Sequence, residues 1–158
     1  MNIFALHKNP DICARWHCDK HVVKMILESA QMICTTHHLH PSGNYDIPYK
    51  KTHENHPCAK WVRSSMSNYL WLLNLVKSLN TEYRFRYDKQ INHKSYDVVQ
   101  TLPRPDISDI GMTDFARAMP DEYKILDNVV CSYRFYYKFG KTNILHYTKR
   151  NSPSWLWE

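Results

Sequence analysis

Two imidazoles, an ammonium and a carboxylate recur at steps of three and four residues in His17, His21, Lys24 and Glu28. At that spacing a continuous helix stacks side chains on one face, so the four would form a single stripe with Gln31 beyond them. Histidine titrates near neutrality, and a pair can serve as general base and general acid. An ammonium stabilises developing negative charge, and a carboxylate orients a base or activates water. His21 is the expected base or acid, with His17 or His56 as its partner. The plain alternative is a solvated helix face on which Lys24 and Glu28 form an ordinary i,i+4 pair.

A second reading of the same stretch is metal binding. Cys13, His17 and His21 are spaced by four and four, and His53, Glu54, His56 and Cys58 offer further donors. No Cys-x-x-Cys knuckle accompanies them, and a break at Cys18-Asp19 would split the stack. No cofactor is therefore expected, with structural zinc as a lesser alternative. Zinc-deaminase chemistry is excluded: Glu54 directly follows His53, and Trp61 stands where the second cysteine of Pro-Cys-x-x-Cys belongs. A cysteine nucleophile is open at Cys13, Cys18 or Cys58 beside a histidine. Glycosylase attack through an N-terminal amine is discounted, because Asn2 is too large for removal of the initiator Met1. Three isolated glycines cannot build a phosphate-cradling loop.

Cations interleaved with aromatics form the third constellation. Tyr83-Arg84-Phe85-Arg86-Tyr87 is followed by Lys94, Lys124, the run Tyr133-Arg134-Phe135-Tyr136-Tyr137, Lys141, Lys149 and Arg150. Cations hold phosphates and aromatic faces stack on bases, so these residues are the expected nucleic-acid- or phosphate-binding set. Against this, any one tyrosine can be a core residue with an arginine stem packed over it.

These groups need a body to hold them. The chain has 158 residues, 43% apolar and 13% aromatic, with a net charge of +6. That composition excludes disorder and low-complexity sequence and is enough for one packed core. The charge permits an acidic partner such as nucleic acid or a nucleotide. No apolar run reaches the length of a membrane span, so no membrane partner is expected. The first residues lack the pattern of a signal peptide, and the odd count of five cysteines fits reduced thiols. A cytoplasmic location follows as the expectation.

The elements are read as mainly helical. Residues 2–6 make a short strand or an extended leader. Asn9-Pro10 opens a helix over about 10–18, and Asp19 one over about 20–38, with Val22, Met25, Ile26, Ala30 and Ile33 on the apolar face. Residues 39–56 are loop-like. Pro57 opens a segment to 87, broken near Ser67 and apolar over most of its circumference, which marks the central buried helix. Pro103 and Pro105 stop a helix beginning near Lys94, and Thr113 caps a short one to Ala118. Asp127 caps a last helix over about 128–139, ended by Gly140. A final turn at Ser152-Pro153 plants Trp155 and Trp157 on the body. The expectation is a single helical domain spanning 1–158.

Several segments together resemble a known family. They are Cys18-Asp19-Lys20-His21-Val22-Val23-Lys24-Met25-Ile26-Leu27-Glu28, His56-Pro57-Cys58-Ala59-Lys60-Trp61 and Asn68-Tyr69-Leu70-Trp71-Leu72. Glu82 to Tyr87, His93-Lys94-Ser95, Met119 to Lys124, Tyr133 to Tyr137, and Thr148-Lys149-Arg150 with Pro153 and Trp155 complete the set. The set is similar to a small family of proteins from tailed phages and large DNA viruses. The resemblance implies a viral origin, the cytoplasm of an infected host cell and a single domain; it brings no activity, cofactor or active site with it. The function expected is a viral accessory enzyme acting on nucleic acid or nucleotides by hydrolysis or by base or glycosidic-bond chemistry. The alternatives are a non-catalytic binder relying on Arg84, Arg86, Arg134 and Lys149, and a zinc-stabilised interaction module.

Overall fold

Helices form where the sequence supplies starts. The computed structural model describes residues 1–158 and contains six α-helices: α1 (Pro10–Trp16), α2 (Asp19–Leu39), α3 (Pro57–Arg63), α4 (Met66–Arg86), α5 (Lys94–Gln100) and α6 (Val129–Gly140). Asn9 caps α1 by accepting from the amides of Asp11 and Ile12, with Pro10 at the first helical position. His56 and His93 do the same for α3 and α5 through their Nδ1 atoms, and Asn128, rather than Asp127, caps α6. The expected break near Ser67 falls at Ser64-Ser65, where Ser65 becomes the residue before α4.

The helix α4 takes the central place expected of it, packed against α1, α2, α3 and α5, and α2 shares that centre. Thirteen residues of α2 are buried, among them His21, Glu28 and His37, while Lys20, Lys24 and Leu27 form an exposed stripe along its first half. No helix is long and apolar enough to cross a membrane.

Two expectations fail locally, and one choice is decided. Residues 2–6 form no strand and are the extended leader instead, with Ala5 and Leu6 completely buried. Thr113 does not cap a helix, because its N–H and hydroxyl are taken by the Asn68 side chain, which ties the irregular 101–118 segment to α4. Asp109 pins the same segment by accepting from Ser65, Ser67 and the Gly111 amide. Trp155 packs on Trp16, whereas Trp157 is 78% exposed.

The extended N-terminal segment occupies the space between α2 and α6. Its side chains Ile3, Phe4, Ala5 and Leu6 join a core with Val22, Met25, Tyr133 and Tyr137. Its polar atoms are matched: Asn2 donates to the Ala118 carbonyl and accepts from the Ile3 amide and the Tyr133 hydroxyl. The Phe4 carbonyl accepts from Cys13 Sγ and the Leu6 carbonyl from Arg134 Nε. Buried backbone without such partners would be costly, so the segment is held at a defined depth.

Candidate active site

His21, Lys24 and Glu28 share one side of α2, and the structure closes that side with the N-terminal segment and α6. A cavity of about 270 Å³ results, lined by Met1, Asn2, Phe4, His21, Lys24, Met25, Glu28, Ala118, Tyr136 and Lys141. Of the expected catalytic residues, three line it; of the expected phosphate-binding set, Lys141 does. Lys141 lies 5.0 Å from the Tyr136 ring centroid and 5.8 Å from that of Phe4. Gly140 leaves the room Tyr136 needs, since a Cβ there would meet its ring at 2.6 Å.

Glu28 is the most constrained charge in the cavity. It is 8% exposed; Oε1 lies 2.7 Å from the α-amine of Met1, and Oε2 has no hydrogen-bond partner. A buried carboxylate oxygen without a donor is costly unless something else meets it there. His56, the other expected partner, caps α3 and does not line the cavity; burial, then the Met1 amine and His53 charges, lower its pKa, while Glu28 raises it.

The histidines correct the sequence reading. His17 ends α1 instead of continuing α2, is wholly buried, and faces the Cys13 carbonyl through Nδ1 at 2.7 Å. Burial, opposed by that bond and aided by Arg86, pushes its pKa down to about 4. His21 stacks on Phe4 at 4.3 Å and bonds Tyr137 Oη at 2.6 Å through Nδ1. Burial, followed by the charges of His17, Lys141, Lys24 and Lys20, pushes it down to about 3. Neither imidazole titrates near neutrality, so neither is a base–acid partner there. His21 is thus neutral and held in place through Nδ1 by the Tyr137 hydroxyl, which also meets the amide and Sγ of Cys18.

That burial has a consequence for stability. Both imidazoles bind a proton more readily unfolded, at the ordinary 6.5, than folded. Stability is therefore full above about pH 6.5 and falls as pH drops toward the folded values. At about 1.4 kcal/mol per unit, the two together withdraw on the order of 5 kcal/mol by pH 4. Urea midpoints measured at pH 7, 6, 5 and 4 are expected to fall steadily; a flat profile from pH 7 to 5 would contradict the assignment.

The metal reading finds no donor set. Cys13 Sγ turns to the Phe4 carbonyl, His21 turns to Tyr137, and no three His, Cys, Asp or Glu side chains converge as metal ligands. The candidate thiol nucleophiles are also corrected: burial raises Cys13 to about 12 and Cys58 to about 11, and raises Cys18, so all three stay protonated.

The cationic set separates into distinct places. Arg86 is 2% exposed and bonds Glu82, Asp19 and the carbonyls of Arg15 and His17; it holds architecture, not phosphate. Arg150 grips Glu82 through Nε and Nη2. Arg134 is spent on the Leu6 carbonyl and lies 4.9 Å from the Trp16 ring centroid. Lys124 pairs with Asp121 and Lys149 with Asp88. Arg84 and Lys94 are exposed on α4 and α5, Arg84 beside an open groove with Lys77 and Lys89, and neither lines the cavity at Glu28.

Comparison of the chain with protein-family models, curated proteins and solved structures gives no match. The site therefore rests on its own geometry. Met1 and Asn2 are the participants that residue spacing does not reveal; their signal is the unusually apolar run Ile3 to Leu6, which must bury and carries them inward.

Proposed function

We propose that the chain is a viral accessory enzyme that acts on nucleic acid or a nucleotide at the glycosidic bond, in the cytoplasm of an infected cell. The carrying observation is the buried Glu28 carboxylate, one oxygen unpartnered, in a nucleoside-scale cavity flanked by Lys24 and Lys141. Cleavage of a glycosidic bond develops positive charge on the sugar, which a buried carboxylate stabilises strongly. Phosphodiester hydrolysis develops negative charge instead, which a carboxylate opposes, and it would call on acid–base groups that titrate near neutrality. His21, the imidazole that lines the cavity, is pushed down to about 3 by burial. The two lysines hold the phosphates on either side. The resemblance to proteins of phages and large DNA viruses supports the choice of partner.

Lys24→Ala and Lys141→Ala are each expected to raise KM about tenfold or more with little change in kcat, the scale of one charge-assisted contact. Base release from oligonucleotides, followed by chromatography, reads both constants. An unchanged KM in both variants would remove the lysines from substrate binding.

A further inference from the structure

A second polar feature lies along α4, apart from the Glu28 cavity. Lys77, Asn80 and Arg84 recur at steps of three and four, so one side of the helix presents them together. The 87–93 loop folds back along that side and leaves an open groove of about 600 Å³, completed by Phe85, Lys89, Asn92 and Tyr96. The loop is fixed in place. Asn80, 5% exposed, accepts from the His93 amide and donates to Asn92, and Arg84 donates to the carbonyls of Lys89 and Gln90.

Charge sets this groove apart. Three of its eight lining residues are cations and none is a carboxylate. Lys51, Arg86, Lys124, Lys149 and Arg150 are each paired with a carboxylate, whereas Lys77, Arg84 and Lys89 are not. Arg84 spends its donors on neutral oxygens, so its charge stands unneutralised. Asp97 accepts from Asn92 Nδ2 but does not line the groove. A concentration of one sign of charge in a concave surface draws an oppositely charged ligand. Lys77 and Arg84 lie two turns apart, about 10 Å along the helix. That spacing suits successive phosphates of a strand better than one isolated phosphate. Phe85, 43% exposed with Arg150 packed against its ring, and Tyr96 add aromatic surface of the kind on which unpaired bases stack.

We propose that this groove binds the phosphodiester backbone of a single-stranded polynucleotide, which makes the substrate a polymer and not a free nucleotide. The binding stands on the groove alone; its meaning for the substrate rests on the glycosidic-bond reading above.

Fluorescence anisotropy of a labelled single-stranded oligodeoxynucleotide, titrated with the protein across a salt series, reads affinity and phosphate contacts together. Lys77→Ala/Lys89→Ala removes two exposed, unpaired ammonium groups and leaves the buried structure untouched. It is expected to weaken binding about tenfold or more at low salt. The slope of log affinity against log salt is expected to shrink by about 1.4, at about 0.7 per contact on a single strand. Lys50→Ala/Lys60→Ala removes the same charge from exposed positions that line neither groove nor cavity, and is expected to keep the wild-type slope. Equal losses in both variants would reduce the effect to overall charge and overturn the proposal. So would a groove variant that binds like wild type. Displacement of the oligonucleotide by inorganic phosphate at equal total phosphate would also overturn it, marking a site for one phosphate. Groove-dependent binding by a protein that releases no base supports the groove and fails the glycosidic-bond reading. Base release with binding indifferent to the groove does the reverse.

Discussion

Glu28→Gln is expected to lower base release about a thousandfold or more, which corresponds to about 4 kcal/mol of transition-state stabilisation. Glutamine matches the size of glutamate and can still accept from the Met1 amine, so the cavity keeps its shape. It has no charge to set against a cationic sugar and no basic oxygen to carry protons. The loss is therefore expected in kcat, with KM nearly unchanged, because Lys24 and Lys141 still hold the substrate. Unaltered far-UV circular dichroism would establish that the fold survives. A variant within tenfold of wild type would show that Glu28 is only the counter-ion of a buried terminus.

The second large effect falls on stability. Arg86 links the end of α1, the start of α2 and the 147–150 segment through five contacts: Glu82 Oε2 at 2.9 Å, Asp19 Oδ1 at 3.1 Å, the His17 and Arg15 carbonyls at 2.8 and 2.9 Å, and the Tyr147 ring. Burial works to raise the Glu82 pKa and is outweighed by hydrogen bonds from Arg150 and Arg86, which hold it low. Arg86→Met fills much of the volume but strands two carbonyls and part of the Glu82 and Asp19 charge. Breaking one side of a buried ion pair costs about 3–5 kcal/mol. Urea denaturation at pH 7 reads this directly. A stable variant that had instead lost affinity for an oligonucleotide would return Arg86 to the binding surface.

These two residues illustrate what a sequence discloses and what it withholds. Helix positions were legible because their signals are local: Asn9-Pro10, His56-Pro57 and the apolar spacing of Val22, Met25 and Ile26 depend on neighbours within a turn. The placing of Lys24 and Glu28 on one side of α2 was legible for the same reason. Arg86 was not, since a cation in a Tyr-Arg-Phe-Arg-Tyr run looks identical whether it meets phosphate or the ends of two buried helices; only the distant Asp19 and the carbonyls of Arg15 and His17 decide. The histidines failed similarly. Spacing put His17 and His21 on one polar stripe; their rings do lie side by side, centroids 6.4 Å apart, but on two helices that meet at Cys18, and burial beside Phe4 and Tyr137 lowers their proton affinity. The fate of residues 1–6 depended on a slot between α2 and α6, whose nearest ends, Leu39 and Val129, are 90 positions apart in the chain, and the Met1–Glu28 contact followed from it.

Glycosidic-bond chemistry at the Glu28 cavity can be read by mass spectrometry of single- and double-stranded DNA, RNA and free nucleotides incubated with the protein. A free nucleobase and a substrate lighter by that base and heavier by water are expected from wild type and not from Glu28→Gln. Products cut at phosphate with every base retained, or base release that persists undiminished in Glu28→Gln, would contradict it.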